Sequence, residues 1–333
     1  MKGEGIIGAA DTVTKAYIRK NEVFADAFNY FMYDGRQKIQ PEQLRELDST
    51  EIAILLNEKD TKDKTNKEKE ASEQKMVQKY RDLLKTATIM EDGEATYVLL
   101  GIENQTEVHY AMPVRNMLYD AMQYNQQVTE IAEKHKGKKG GKRQQKISTG
   151  EFLSGFYKNN KLIPVITLVL FFNPGKWDGP RSLFDMLDIS NPIFKKNAQD
   201  YKIHIISPKE ILESDLKKFS SSLREVIGCI KYSNDKNKLA AFIQDNPRMN
   251  IEVEAARVLE VITHTHIKRE EVDDMGNVNM CKAIQEMIQD GRDEGRVQLL
   301  VTLIQSGDIS LQRAAALMNM TPEEFQEKSK MIS

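Results

Sequence analysis

The sequence predicts an α/β fold over residues 1–207 followed by an all-helical region over 208–333. Two observations carry this. Helical and strand-like periods alternate as far as Ile206, whereas from Pro208 onward every periodic segment has helical spacing. The 333 residues are also 40% hydrophobic, enough to bury one large core or two modest ones.

Residues 12–34 set Tyr17, Phe24, Phe28 and Phe31 at intervals of seven, four and three, the period of one buried helix face, and Asp34-Gly35 stops the helix. Pro41 opens a short turn or helix, and Ile52–Leu56 is a run of strand length, so a strand is expected over 50–56. The charged stretch 58–75 follows; within 58–70 five lysines face five acids with no apolar anchor. A nucleic-acid arm would carry an excess of one sign, so this stretch reads as a flexible solvated loop. Residues 81–105 read as two strands around Asp92-Gly93, a pair that tolerates the positive φ of a two-residue hairpin loop. Pro113 suits the first position of a helix running to 134, with Met117, Leu118, Met122 and Val128 on its buried side. Pro164–Phe172 is apolar on both faces and reads as a central strand. Turns at Asn173-Pro174-Gly175 and Asp178-Gly179-Pro180 surround the only tryptophan, Trp177, before a strand over 201–206. Helices are expected over 209–232, 235–245, 250–268, 280–305 and 310–329.

Composition excludes several classes. Forty-eight basic residues against 50 acidic ones leave a net charge of −2, so any nucleic-acid surface must be local. Cys229 and Cys281 lie 52 residues apart without a CxxC, which argues against a disulfide framework or structural zinc and suits a reducing, cytoplasmic setting. The amino-terminal stretch has no apolar leader, and the run Pro164–Phe172 is too short to span a bilayer, so no membrane association is expected. No GxSxG, Walker loop or HExxH occurs.

The hairpin brings chemistry together. With Asp92 and Gly93 as loop residues, opposed positions sum to 185, so Asp82 faces Glu103 and Glu91 faces Glu94. Gln105, two residues beyond Glu103, shares that face with Leu84, Thr86, Met90, Tyr97 and Leu99. Two opposed carboxylates on an otherwise apolar face repel each other and lose solvent, and a hard cation such as Mg²⁺ (or Mn²⁺) is a natural compensator. Without a metal, Asp82 is a solvated strand-start residue and Glu103 a surface charge, and one bulge would break the register.

Asp82, the hairpin and Glu103-Asn104-Gln105 resemble the D…ExQ variant of the PD-(D/E)XK nuclease motif. The text around them, YRDLLK, GIENQTEVHYAMPVRNMLYDAMQY, PVITLVLFF and KWDGPRSL, is similar to the bacterial family of recombination-promoting nucleases and putative transposases. IRKNEVFADAFNYF, GRDEGR and ISLQRAAALMNMTPEEF extend that resemblance over nearly the whole chain. It implies a restriction-endonuclease-like αβββαβ core over 1–207, with charged loops at 58–75 and 134–150. By the same resemblance Asp82 and Glu103 are Mg²⁺ ligands, and an acid on the first helix completes the set, Glu22 or alternatively Asp26. Gln105 stands where the superfamily usually has lysine. A neutral amide can hold a water but lacks the electrostatic help of an ammonium, so Gln105 puts the catalytic rate in question. Residue 81 is Arg where the motif has Pro.

Residues 134–146 hold seven lysines or arginines, three glycines and one apparent purpose if DNA is bound: neutralising phosphates through Lys138, Lys139, Lys142 and Arg143. A solvated loop explains the same composition. Arg115 and Tyr119 are an i, i+4 pair on the 113–134 helix and are expected to face the site. Ser310–Phe325 imitates a helix-turn-helix with Thr321 as N-cap, but Glu323, Glu324 and Glu327 would repel phosphate, favouring a packing or dimer element. The expectation is therefore an Mg²⁺-dependent endonuclease of low sequence specificity acting on double-stranded DNA, with a role in recombination or mobile-element transfer. A two-ended cut would favour a homodimer. The alternative is a catalytically weak or inactive nuclease fold that grips DNA or a protein, as in a defence or toxin module.

Overall fold

The computed structural model describes residues 4–47, 82–91, 94–136, 147–244, 246–263 and 272–332. The strand expected over 50–56, the charged stretch 58–75 and the hairpin loop Asp92-Gly93 lie outside the described residues.

The first half runs α1 (Glu4–Ile18), α2 (Asn21–Tyr33), β1 (Arg45–Glu46), β2 (Leu83–Glu91), β3 (Glu94–Gln105), α3 (Met112–Lys136), α4 (Thr149–Ser154), β4 (Val165–Phe171), α5 (Pro192–Asn197) and β5 (His204–Ile206). Its five strands stand in chain order in one mixed sheet. β1, β2 and β3 are antiparallel; β3, β4 and β5 are parallel, with β4 central as its two-sided apolar sequence requires. The β2–β3 register follows the sum of 185 throughout, from Glu91↔Glu94 to Leu83↔Ile102.

Alternation along the strands divides the core. Leu83, Ala87, Ile89, Val98, Leu100 and Ile102 share one cluster with Tyr17, Phe24 and Phe28 of α1 and α2. Leu84, Leu99 and Val165 face the other way, where Tyr124 of α3 packs. Further along that face Val169 and Phe171 meet Met112, Ile203 and Trp177, whose indole stands edge-on to Phe171 at 5.2 Å. A Cβ on Gly179 would come within 2.7 Å of Val108 and 3.2 Å of the Trp177 indole, so glycine there lets the turn close over the chain leading into α3.

The single helix expected over 12–34 is two. The break falls at Arg19-Lys20, with Lys20 extended at φ −61° and ψ 130°. Lys85, buried on β2, donates from Nζ to the Arg19 carbonyl (2.6 Å) and to Asn21 Oδ1 (2.5 Å), satisfying a carbonyl that ends α1. The interval of seven from Tyr17 to Phe24 hides the break, because both rings stay on the core side across it. Asp34 and Gly35, at φ 55° and 83°, end α2 where expected.

Among the described residues the second half is helical apart from one two-stranded ribbon. It runs α6 (Leu223–Tyr232), α7 (Lys236–Ile243), β6 (Asn250–Glu252), α8 (Val253–Thr263), β7 (Asn277–Asn279), α9 (Met280–Gln305), α10 (Leu311–Leu317) and α11 (Pro322–Ile332). The helix expected over 209–232 begins only at Leu223, because Ser220, Ser221 and Ser222 are drawn into a turn. Asp26 of α2, 1% exposed, accepts from the backbone N–H and hydroxyl of both Ser220 and Ser221 at 2.6–3.1 Å. Arg248 takes the carbonyls of the same two serines and pairs with buried Glu225 at 2.9 Å. Ser222 joins Tyr17 of α1 to Glu252. Residues on both sides of position 208 consequently share the largest hydrophobic cluster. Val297, Leu300, Ala314, Ala315 and Phe325 form a separate small cluster tying α10 and α11 to the end of α9. No helix among the described residues is long and apolar enough to cross a membrane.

The serine turn makes a stability prediction. Asp26→Ala removes the acceptor of four serine donors and should lower unfolding free energy by roughly 1–3 kcal/mol, the range for leaving partly buried donors unsatisfied. Urea unfolding should show a lower midpoint at unchanged slope. A loss under about 1 kcal/mol would mean water replaces the carboxylate adequately.

Candidate active site

The last bridged pair of the hairpin is Leu83↔Ile102, and Asp82 and Glu103 are the residues next beyond it on either strand. The Asn104 N–H donates to Asp82 Oδ2 at 2.9 Å, fixing the carboxylate against the end of β3. Glu103 pairs in register with Val169 of β4 and is 0% exposed, so its carboxylate is enclosed rather than a surface charge. Gln105 pairs with Phe171, lies two residues along on the same face and is half-buried. Asp82, Glu103 and Gln105 thus lie at the carboxyl end of the parallel strands, with Asp82 paired toward α1 and Glu103 toward α3, at the edge where open α/β sheets place their ligands.

Each carboxylate has its own cation. Asp82 Oδ1 lies 2.9 Å from Lys15 Nζ of α1, and that ammonium also lies 2.8 Å from Asp11 Oδ2. Asp11, Thr14 and Lys15 form one face of α1 at i, i+3 and i+4. Asn104 locks this face: its Nδ2 donates to Thr14 Oγ1 at 2.6 Å and to Asp11 Oδ1 at 3.3 Å. Partial burial opposes the Lys15 charge, but the hydrogen bonds to Asp11 and Asp82 carry its pKa above the ordinary value.

From the other layer Arg115 Nη2 reaches Glu103 Oε2 at 3.2 Å, and Arg115 Nε donates to Tyr119 Oη at 3.2 Å. Burial disfavours this guanidinium charge, yet Glu103 and Tyr119 hold its pKa above the usual value. Burial likewise raises the Tyr119 phenol, with the Glu103 charge adding to it. One turn further on, Asp120 accepts from Thr167 and Tyr201 at 2.7 and 2.5 Å, which holds α3 in line over β4.

The first-helix acid is not the one expected. Glu22 is exposed on the first turn of α2 and acts on Lys85, three residues and about 10 Å along β2 from Asp82. Asp26 is committed to the serine turn. The acid joined to Asp82, through Lys15, is Asp11, which the sequence reading missed together with Lys15. The signal was the D-x-x-T-K spacing of one helical face, but its meaning depends on Asn104, 93 residues away from Asp11.

The basic residues Lys138, Lys139, Lys142 and Arg143 lie outside the described residues. Their anchor does not. α3 runs back along the sheet, so Lys136 at its end stands 21 residues, about 32 Å of helix, beyond Arg115.

Among the described residues no three acidic, histidine or cysteine side chains gather closely enough to hold a metal ion. A pair of carboxylates such as Asp82 and Glu103 still suits a hard divalent cation, because Mg²⁺ needs only one or two with water completing its shell. No family model, curated protein or solved structure matches the chain.

Proposed function

We propose that the chain is a divalent-metal-dependent endonuclease of low sequence specificity, hydrolysing phosphodiester bonds of double-stranded DNA on a restriction-endonuclease-like core. The observation that carries this reading is the juxtaposition of Asp82 and Glu103 at the carboxyl end of β3, one nearly and one fully enclosed, each matched by a separate cation. The leading helix pair, the antiparallel hairpin, and the helix that crosses to a parallel strand support the core assignment.

Asp82 and Glu103 would hold Mg²⁺ or Mn²⁺, with water completing the shell. Such an ion supplies a nucleophilic hydroxide and stabilises charge on the phosphate. The Gln105 amide, on the Glu103 face, can orient a water through both its donor and acceptor atoms. Arg115 keeps N–H groups beyond the one against Glu103, in a planar fork that suits phosphate oxygens. The enclosed setting of Glu103 strengthens each of these interactions relative to water.

A second reading has its own observation. Lys15 and Arg115 already compensate the carboxylates, so the fold does not depend on a metal, and Gln105 replaces the usual lysine. A catalytically weak fold that grips DNA or a protein partner would look the same.

Plasmid nicking separates the two. Nicking should appear at low salt with Mg²⁺ and vanish with EDTA. Glu103→Gln should reduce it by roughly a hundredfold or more, the scale for losing one preorganised charged group. DNA affinity should stay equal or tighten, since a carboxylate near phosphate is lost. Absence of divalent-dependent nicking in the native protein would leave the binding reading.

Replacing Lys138, Lys139, Lys142 and Arg143 with glutamine tests the basic loop. Each phosphate contact removed should flatten the slope of log K against log salt by about 0.9, up to roughly 3.6 in total. Coincident slopes for variant and native protein would show that the loop does not touch DNA.

A further inference from the structure

Lys15 is bound as a small hard cation would be. Its ammonium bridges Oδ2 of Asp11 and Oδ1 of Asp82 at 2.8 and 2.9 Å, while Asn104 holds the other oxygen of each acid. Both carboxylates are therefore oriented by the end of β3 independently of Lys15, with their facing oxygens turned to one point. The two resident cations differ in how firmly they are kept. Arg115 is 29% exposed and tied to both Glu103 and Tyr119, whereas Lys15 is 41% exposed on a flexible four-carbon stem at the rim.

We propose that Lys15 is the exchangeable counter-ion of Asp82: it pairs with that carboxylate when no metal is bound, and a divalent cation held by Asp82 and Glu103 must displace it to enter. This rests on the metal-site reading above and adds a regulation to it. A +1 ammonium yields to a +2 ion only when the ion is abundant enough to offset the lost pairs, so Lys15 sets the metal concentration at which the site fills. It also keeps the acids from repelling each other in the metal-free protein. Once displaced, the ammonium stays tethered one helical turn from Asp11 and its rotamers reach solvent.

The test is metal-dependent thermal stabilisation of the full chain, with MgCl₂ and MnCl₂ as probes, in native protein, Lys15→Met and Lys15→Gln. Methionine keeps helix propensity and most of the stem, and glutamine guards against a packing artefact of methionine. Without metal both variants should melt below the native protein. With metal, both should reach half of their stabilisation at roughly tenfold lower concentration, the effect of one opposing charge discounted for partial exposure. A native response with the same or a higher midpoint in both variants overturns the counter-ion role and leaves the metal site standing. No response in any of the three proteins overturns the metal site and this inference with it.

Discussion

A carboxylate enclosed within a sheet must be neutralised where it stands, and Glu103 sets that requirement for this molecule. Burying an ionised acid without a partner is prohibitive, so a cation has to be delivered to it by another layer. Arg115 does this from the first turn of α3, and its position depends on the Trp177 cluster that closes over the entry to that helix. Asp82, one strand over, repeats the problem at the rim, and α1 answers with Lys15. The site is thus the meeting of two helices from opposite faces of the sheet on one pair of acids. Much of the surrounding structure keeps those helices in place.

On the α1 side that support is layered. Asn104 fastens the Asp11–Thr14–Lys15 face, Lys85 caps the break that lets α1 and α2 take separate directions, and Tyr17 ties α1 to Ser222. The serine turn then passes the constraint to the second half through Asp26, Arg248 and Glu225. The helical region up to α8 therefore buttresses α1 from behind. Changes at Asp26 or Arg248 should be felt at the site through the placement of α1, without contact to either acid.

The hairpin was legible because Asp92-Gly93 permits a two-residue loop and alternation then fixes every partner down to Leu83↔Ile102. β4 was legible from its unbroken apolar run, and α3 from Pro113 and its periodic face. Tertiary contacts decided what the sequence reading lost. The α1–α2 break follows from an ammonium 66 residues away from Arg19, with aromatic spacing still in phase. Ser220–Ser222 left helical periodicity because a carboxylate from α2 competes for their N–H groups. Glu22 and Asp26 are the acids of the helix expected over 12–34, which stops short of Asp11; the observed α1 begins at Glu4 and presents Asp11.

Metal binding by Asp82 and Glu103 is the proposal on which the functional reading stands. The most direct measurement is diffraction from crystals soaked in MnCl₂, recorded where manganese scatters anomalously. The account predicts one anomalous peak within coordination distance of Asp82 and Glu103 oxygens, with the Lys15 ammonium withdrawn from Asp82. Manganese-free density at that position, with Lys15 still bridging Asp11 and Asp82 at saturating metal, would contradict it.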